Sequence, residues 1–312
     1  MDTLESLVGK KALIFCSAGG HLKEALLIYR QLRLSTDSIF FTHENDQSKS
    51  LLSNNHYYFV VNAGTRDVLN TFNASRQILS NAQKIDFDIV VSTGAAIALS
   101  ALPLSLFRRK GFYFFESLTR IKSPSLTGRI LEWFPFVRKF SSNFGQSRKC
   151  WNSHKSILEE FHPQAKWDEK KESMKLFITL GTHSQYRFDR LIELVLSVLK
   201  PGDLVTWQLG TTTGHELPGT VHKQLTSEEF TRIATDADVV ITHCGIGTVI
   251  TLLELGISPI AIPRNPNFLE HIDEHQIEAF GLFKNDLNLI RNSIDSLSRK
   301  DLEIASRYRN FS

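Results

Sequence analysis

Cysteine is scarce in this chain of 312 residues, where Cys16, Cys150 and Cys244 are odd in number and lack metal-ligand spacing. That argues against a disulfide scaffold or a thiolate metal centre and fits reduced thiols in a cytosolic protein. Long apolar runs are missing too. No stretch reaches the roughly 20 residues needed to span a bilayer. The best candidate, Gly94 to Phe107, is shorter and carries Pro103, so a buried helix and a turn are expected there. The amino terminus has no signal-peptide layout. Net charge is only +3, and no nucleic-acid-binding motif accompanies the basic residues, so no nucleic-acid partner is expected.

What is present is an alternation of short apolar runs with helical segments, which points to an α/β fold. The length allows two domains, each with its own core. Residues 1–165 are expected to form the first domain and 172–290 the second, with the charged stretch around 161–173 as the linker. The most informative segment is Asp238 to Gln276. Val239 to His243 suits a strand buried on both faces, the run breaks at Gly245 and Gly247, and Thr248 to Leu255 has helical spacing up to Gly256. A second buried strand, Ile257 to Ile262, closes the unit. Glycine turns of this kind bring backbone amides and a helix N-terminus to an anion, so Gly245, Gly247 and Thr248 are candidate diphosphate ligands. Arg264, Glu270, His271, His275 and Gln276 then crowd into thirteen positions at the carboxyl end of the sheet, where ligands bind.

The same device occurs at the front of the chain. After a strand from Lys11 to Cys16, Ser17, Gly19, Gly20 and His21 open a helix, whose dipole should keep the His21 ring neutral. A strand ending at Ser92 leads into Thr93 and Gly94, and Gly181 with Thr182 form the first glycine turn of the second domain. Glu116 closes the strand Gly111 to Phe115 and could take a proton from an attacking hydroxyl, or pair with Arg120. On this reading Glu116 ranks just ahead of His21 as base, with Arg120 and Lys122 as cationic donors to an acceptor diphosphate. Two Asp-x-Asp strings, Asp86 to Asp88 and Asp236 to Asp238, precede buried strands at the amino end of the sheet and are rejected as metal sites.

Charge is uneven. Residues 1–165 hold 20 Lys and Arg against 13 Asp and Glu, hence +7, and 166–312 hold 16 against 20, hence −4. Between Phe107 and Lys149 there are ten basic and two acidic residues, and LEWFPFVRKF interleaves Trp133, Phe134, Phe136 and Phe140 with Arg138 and Lys139. Such a mixture suits an anionic membrane surface, and equally a helix with its aromatics in the core.

The string THCGIGTVITLLELG, with PIAIPR and EHIDEHQ after it and LFITLGTHSQYRFDRLIELV before it, resembles the nucleotide-sugar signature of the GT-B glycosyltransferases of the MurG type and of the dolichol-linked GlcNAc transferase. SAGGH and FFESLTRIKSPSLTGRIL resemble the membrane-recruiting subunit of the latter enzyme, so the chain looks like a fusion of its two halves, as in single-chain relatives of bacterial surface-polysaccharide assembly. The resemblance implies two Rossmann-like domains facing across a cleft, with the Gly-Gly-His turn toward the acceptor. It also implies a C-terminal helix, within 291–312, crossing back to the first domain, and a uracil base beside Gln208 to His215 and His222. In many such enzymes an acid three residues after the turn's Ser or Thr binds ribose; here that position is Thr251, which departs from the pattern.

The expectation is an inverting glycosyltransferase that moves a sugar from a UDP-sugar to a polyprenyl-diphosphate-linked saccharide in exopolysaccharide assembly. Gly181, Thr182, His243, Gly245, Gly247, Thr248, Arg264, Glu270, His271, His275 and Gln276 would serve the donor. Ser17, Gly19, Gly20, Thr93, Gly94, Arg120 and Lys122 would serve the acceptor, and Glu116 and His21 the chemistry. No cofactor or metal is expected, since helix-terminus amides and basic side chains can neutralise the leaving diphosphate. The place would be the cytoplasm, on the inner face of the membrane, held peripherally through residues 107–149. The rivals are a UDP-sugar 2-epimerase of the same architecture and a non-catalytic membrane recruiter.

Overall fold

Runs of β-branched and aromatic residues become short parallel strands, and the amphipathic segments between them become the helices that cover both faces. A computed structural model describes residues 4–62, 68–165, 172–181, 186–271, 275–286 and 296–311. The chain divides into two units, Met1–Ile157 and Leu158–Ser312.

In the first unit the elements in chain order are β1 (Ala12–Phe15), α1 (Gly20–Gln31), β2 (Ile39–Thr42), α2 (Asp46–Leu51), β3 (His56–Phe59) and α3 (Val68–Ala82). They continue with β4 (Ile89–Ser92), α4 (Ile97–Arg108), β5 (Gly111–Phe115), α5 (Leu126–Leu131), β6 (Val137–Ser141) and β7 (Trp151–Ser153). The seven strands form one sheet in the order β3-β2-β1-β4-β5-β6-β7, all neighbours parallel. Leu13 and Phe15 of β1 join Val90, Phe112 and Phe114 in one core under α3 and α4. The segment Gly94 to Phe107 is a helix as read, running through Pro103 and extending to Arg108.

The second unit contains β8 (His162–Ala165), β9 (Lys175–Thr179), α6 (Asp189–Leu196), β10 (Leu204–Gln208), β11 (Thr220–His222) and α7 (Ser227–Asp236). It continues with β12 (Val239–His243), α8 (Ile246–Glu254), β13 (Ile260–Ile262), α9 (His275–Asp286), α10 (Arg299–Ala305) and β14 (Tyr308–Phe311). Its parallel sheet runs β11-β10-β9-β12-β13, repeating the order of the first five strands of the other unit, and β14 pairs antiparallel with β8. Alternation along β9 sends Leu176 and Ile178 to the core shared with α6 and α10, and Phe177 to the opposite core with Ala234 and Leu252. The C-terminal helix expected to cross back to the first domain is α10, and its Leu302 and Ala305 lie in the core of the second unit.

Three local readings change. Ser227 and Glu228 read as the cap of a short helix in the sequence, whereas the cap of α7 is Thr226 with Glu229, a reciprocal capping box. The strand after α8 starts at Ile260, because the chain leaves the helix through Gly256, at φ of +75°, and the N–H of Ile257 still bonds the helix carbonyl of Leu252. LEWFPFVRKF is no single amphipathic surface: it bends after α5 and continues as β6. Lys139 is buried there, donating to the carbonyls of Leu131, Phe134 and Val137.

The Asp-x-Asp strings have the same structural task in both units. Asp88 accepts the N–H of Lys11 and Asp238 that of Lys175, each at 2.8 to 2.9 Å, at the amino ends of the sheets.

Candidate active site

In a doubly wound sheet the strand order reverses at one point, and the two loops leaving the carboxyl ends there diverge to make a crevice. The first unit reverses between β1 and β4, the second between β9 and β12. Every glycine turn singled out above lies at one of these two places.

In the second unit the turns after β9 and β12 close on one imidazole. Gly181 has φ of +78°, and a Cβ there would lie 2.6 Å from the His243 ring. A Cβ on Gly245 would also overlap that ring. The two glycines are therefore required by the packing of His243 as well as by the turn. Gly245 caps α8 without a side-chain bond, so the first-turn amides, at Gly247 and Thr248 among others, are left to an incoming anion. Thr251, at the position of the missing acid, turns its hydroxyl back to the carbonyl of Gly247.

Arg264 does something other than expected. Its guanidinium is buried and donates to the carbonyls of Leu180, Tyr186, Arg187 and Glu270 at 2.7 to 3.1 Å, and stacks 4.8 Å from Phe188. Burial lowers its pKa to about 10, partly opposed by Glu270. It is a clamp on the loops around the site, with both terminal nitrogens turned to backbone. Glu270 is likewise committed, to a bidentate pair with Arg190 at 2.8 and 3.0 Å and to the N–H of Asn265. Gln276 accepts the N–H of Arg264, and His271 lies 6.2 Å from the Tyr186 ring. Thr182 lies outside the described residues, as does the side chain of His275. Beside Glu270, residues including Tyr186, Arg187, Arg190, Phe268 and Leu269 line a cavity of about 600 Å³.

In the first unit the turns after β1 and β4 meet at His21. Its Nδ1 is 2.9 Å from the carbonyl of Thr93, whose hydroxyl donates to the carbonyl of His21. Gly94, at φ of +117°, leaves 3.2 Å between a would-be Cβ and the ring. Gly19, at φ of +83°, faces open space, so the backbone alone requires glycine there. It caps α1 without a side-chain bond, next to Ser17 and Gly20. Burial pulls the His21 pKa down, but the bond and charge of Glu24, the charge of Glu116 and the Thr93 carbonyl together raise it, opposite in direction to the helix-dipole effect expected there.

Glu116 sits at the end of β5, buried, but with both oxygens engaged. Oε1 accepts the N–H of Ser117 at 3.2 Å, and Oε2 accepts the N–H and hydroxyl of Ser125 at 2.9 and 3.0 Å. Burial pushes its pKa up against those bonds and the charge of Arg120. Ser125 in turn caps α5, so Glu116 organises the loop after β5. Arg120 is half-buried and contributes charge without a direct bond to Glu116, and Lys122 is exposed.

Two participants were missed. Glu24 sits one helical turn after His21, a spacing that signals contact on a helix. Arg190 meets a partner 80 residues away, and no local pattern announces that.

Residues 175–299 match the glycosyltransferase family 28 C-terminal domain. No curated protein sequence matches the chain. Among solved structures, MurG of Acinetobacter baumannii is similar at a TM-score of 0.52 and 16% identity, over 88% of this chain and 84% of that one. The glycosyltransferase SnogD of Streptomyces nogalater gives 0.54 and 13%, over 96% and 93%. A Listeria monocytogenes protein described as a UDP-N-acetylglucosamine 2-epimerase gives 0.53 and 11%, over 96% and 91%. The fold is thus of the GT-B kind, two Rossmann-like units, and the second carries the family 28 C-terminal domain.

Proposed function

We propose that the chain is an inverting glycosyltransferase that uses a UDP-sugar, with the second unit holding the donor and the first the acceptor. The observation that carries this is the His243 ring set between Gly181 and Gly245 at the uncapped start of α8. An imidazole and a row of free amides at one point form a seat for a diphosphate leaving group. The family 28 match over 175–299 supports the same reading.

In this reading the acceptor hydroxyl attacks the anomeric carbon, the new C–O bond forms as the bond to UDP breaks, and UDP leaves with the electron pair. The hydroxyl proton passes to His21, preferred over Glu116 because both Glu116 oxygens already hold the loop after β5. The acceptor is a polyprenyl-diphosphate-linked saccharide, its diphosphate met by the amides at Gly19 and Gly20 and by Arg120 and Lys122. Exposed apolar side chains on three neighbouring helices support a peripheral membrane position: Leu69 and Phe72 on α3, Phe107 on α4, and Leu126 and Ile130 on α5, with Trp133 just after. Arg76, Arg109 and Arg129 are exposed on the same segments. Among the described residues no helix is long and apolar enough to cross a membrane.

The test is incubation with a panel of UDP-sugars and a membrane extract, following UDP release and lipid-linked product. A UDP-sugar consumed only when the extract is present supports the transferase. Interconversion of UDP-sugars without any acceptor supports the epimerase instead.

A further inference from the structure

Glu24 has no part in the reaction described above, yet it touches both His21 and the loop after β5. Its side chain is 3% exposed, on α1, with Oε2 3.5 Å from Nδ1 of His21. The other oxygen, Oε1, accepts the hydroxyl of Ser117 at 2.9 Å and the N–H of Leu118 at 3.2 Å. A buried carboxylate so placed is held in one orientation by these contacts.

The partners of His21 decide its tautomer. Nδ1 faces the Thr93 carbonyl and the Glu24 carboxylate, and neither can donate a hydrogen bond when Glu24 is ionised. Nδ1 therefore carries the hydrogen, and in the neutral ring Nε2 carries the lone pair. We propose that Glu24 is a positioning residue: it fixes the proton of His21 on Nδ1, leaves Nε2 to accept the proton of the attacking hydroxyl, and ties this ring to the loop after β5. The inference rests on the reading of His21 as the base.

When Nε2 takes that proton the ring becomes an imidazolium, and its charge lies against two carboxylates, Glu24 on its own helix and Glu116 at the end of β5. From the loop after β4 it faces the Thr93 carbonyl. A glutamine at position 24 can still accept from Ser117 and Leu118, but it presents an amide without charge to Nδ1.

Nitrogen-15 NMR of the imidazoles, with His21 identified through a His21→Asn variant, tests this on the free protein. Wild type should show the Nδ1–H tautomer and a titration midpoint above the usual 6.5. In Glu24→Gln the midpoint should fall by about one unit or more. The acidic limb of UDP-sugar turnover should move to lower pH with it, and the plateau rate should drop tenfold or more. Glu24→Asp, which keeps the charge, should keep most of the raised midpoint. A folded Glu24→Gln protein whose His21 midpoint and tautomer match wild type overturns the proposal. Should that variant not fold, an Nε2–H tautomer in wild type overturns it equally. Absence of any UDP-sugar turnover by wild type would instead remove the transferase reading, and the titration would still decide the part played by Glu24.

Discussion

Any side chain at Gly181 would have to sit where the His243 ring is. Gly181→Ala should therefore displace the imidazole and also bear the left-handed backbone penalty of about 1–2 kcal/mol. The expected result is at least a tenfold loss of UDP affinity by isothermal titration calorimetry, and unchanged affinity would remove the His243 seat from the donor site. Arg264 makes the opposite kind of point, since a residue expected to meet ligand charge is consumed by four backbone carbonyls. Lysine has a point charge and cannot span that fork. Arg264→Lys should cost about 3 kcal/mol in urea unfolding. A loss below about 0.5 kcal/mol would mean the clamp is not needed.

Helices α3, α4 and α5 bring together side chains far apart in sequence, and the apolar ones left in water are large: Trp133 is 86% exposed and Phe107 76%. Exposed aromatics at this density usually mark a contact surface. Replacing both by serine should reduce co-flotation with anionic vesicles about tenfold while leaving the thermal midpoint unchanged, because neither packs in the core. Binding by wild type should weaken as salt rises, through the nearby arginines. Equal flotation of the variant would locate any membrane contact elsewhere. The contrast with Phe134 and Phe140 is instructive: they belong to the same sequence run, but one packs against the core and the other is buried in β6.

Across the chain, stability should depend on pH from both sides. Asp203 is buried against Arg299 and ties α10 to the start of β10. Its burial would raise its pKa, but Arg299 and the N–H groups of Lys200 and Met174 together hold it below the usual carboxylate range. A depressed carboxylate contributes stability that is present above the unfolded value, near 3.8, and is lost as pH falls through the folded one. His21 has the reverse sign: its raised pKa contributes stability below 6.5 that is lost as pH rises through the folded value. Asp203→Asn should cost about 3 kcal/mol at neutral pH and flatten the acid side of the urea-midpoint profile. A wild-type slope in that variant would show that other carboxylates govern acid unfolding.

Local pattern was enough for the α/β class, for strands β1, β4, β5 and β12 to within a residue, and for the glycine turns, because period and turn chemistry act over neighbouring residues. It also placed His21 in the turn that opens α1, His243 at the end of β12 and Glu116 just after β5. Their surroundings come from contacts distant in sequence: Thr93 lies against His21 from 72 residues away, and Glu24 beside it meets Ser117 from 93 residues away. The same holds for Arg264, whose type suggested a ligand for phosphate and whose surroundings made it a clamp. Which donors a charged side chain has left over depends on the strands and loops that the sheet order brings beside it, and a linear reading has no access to that order.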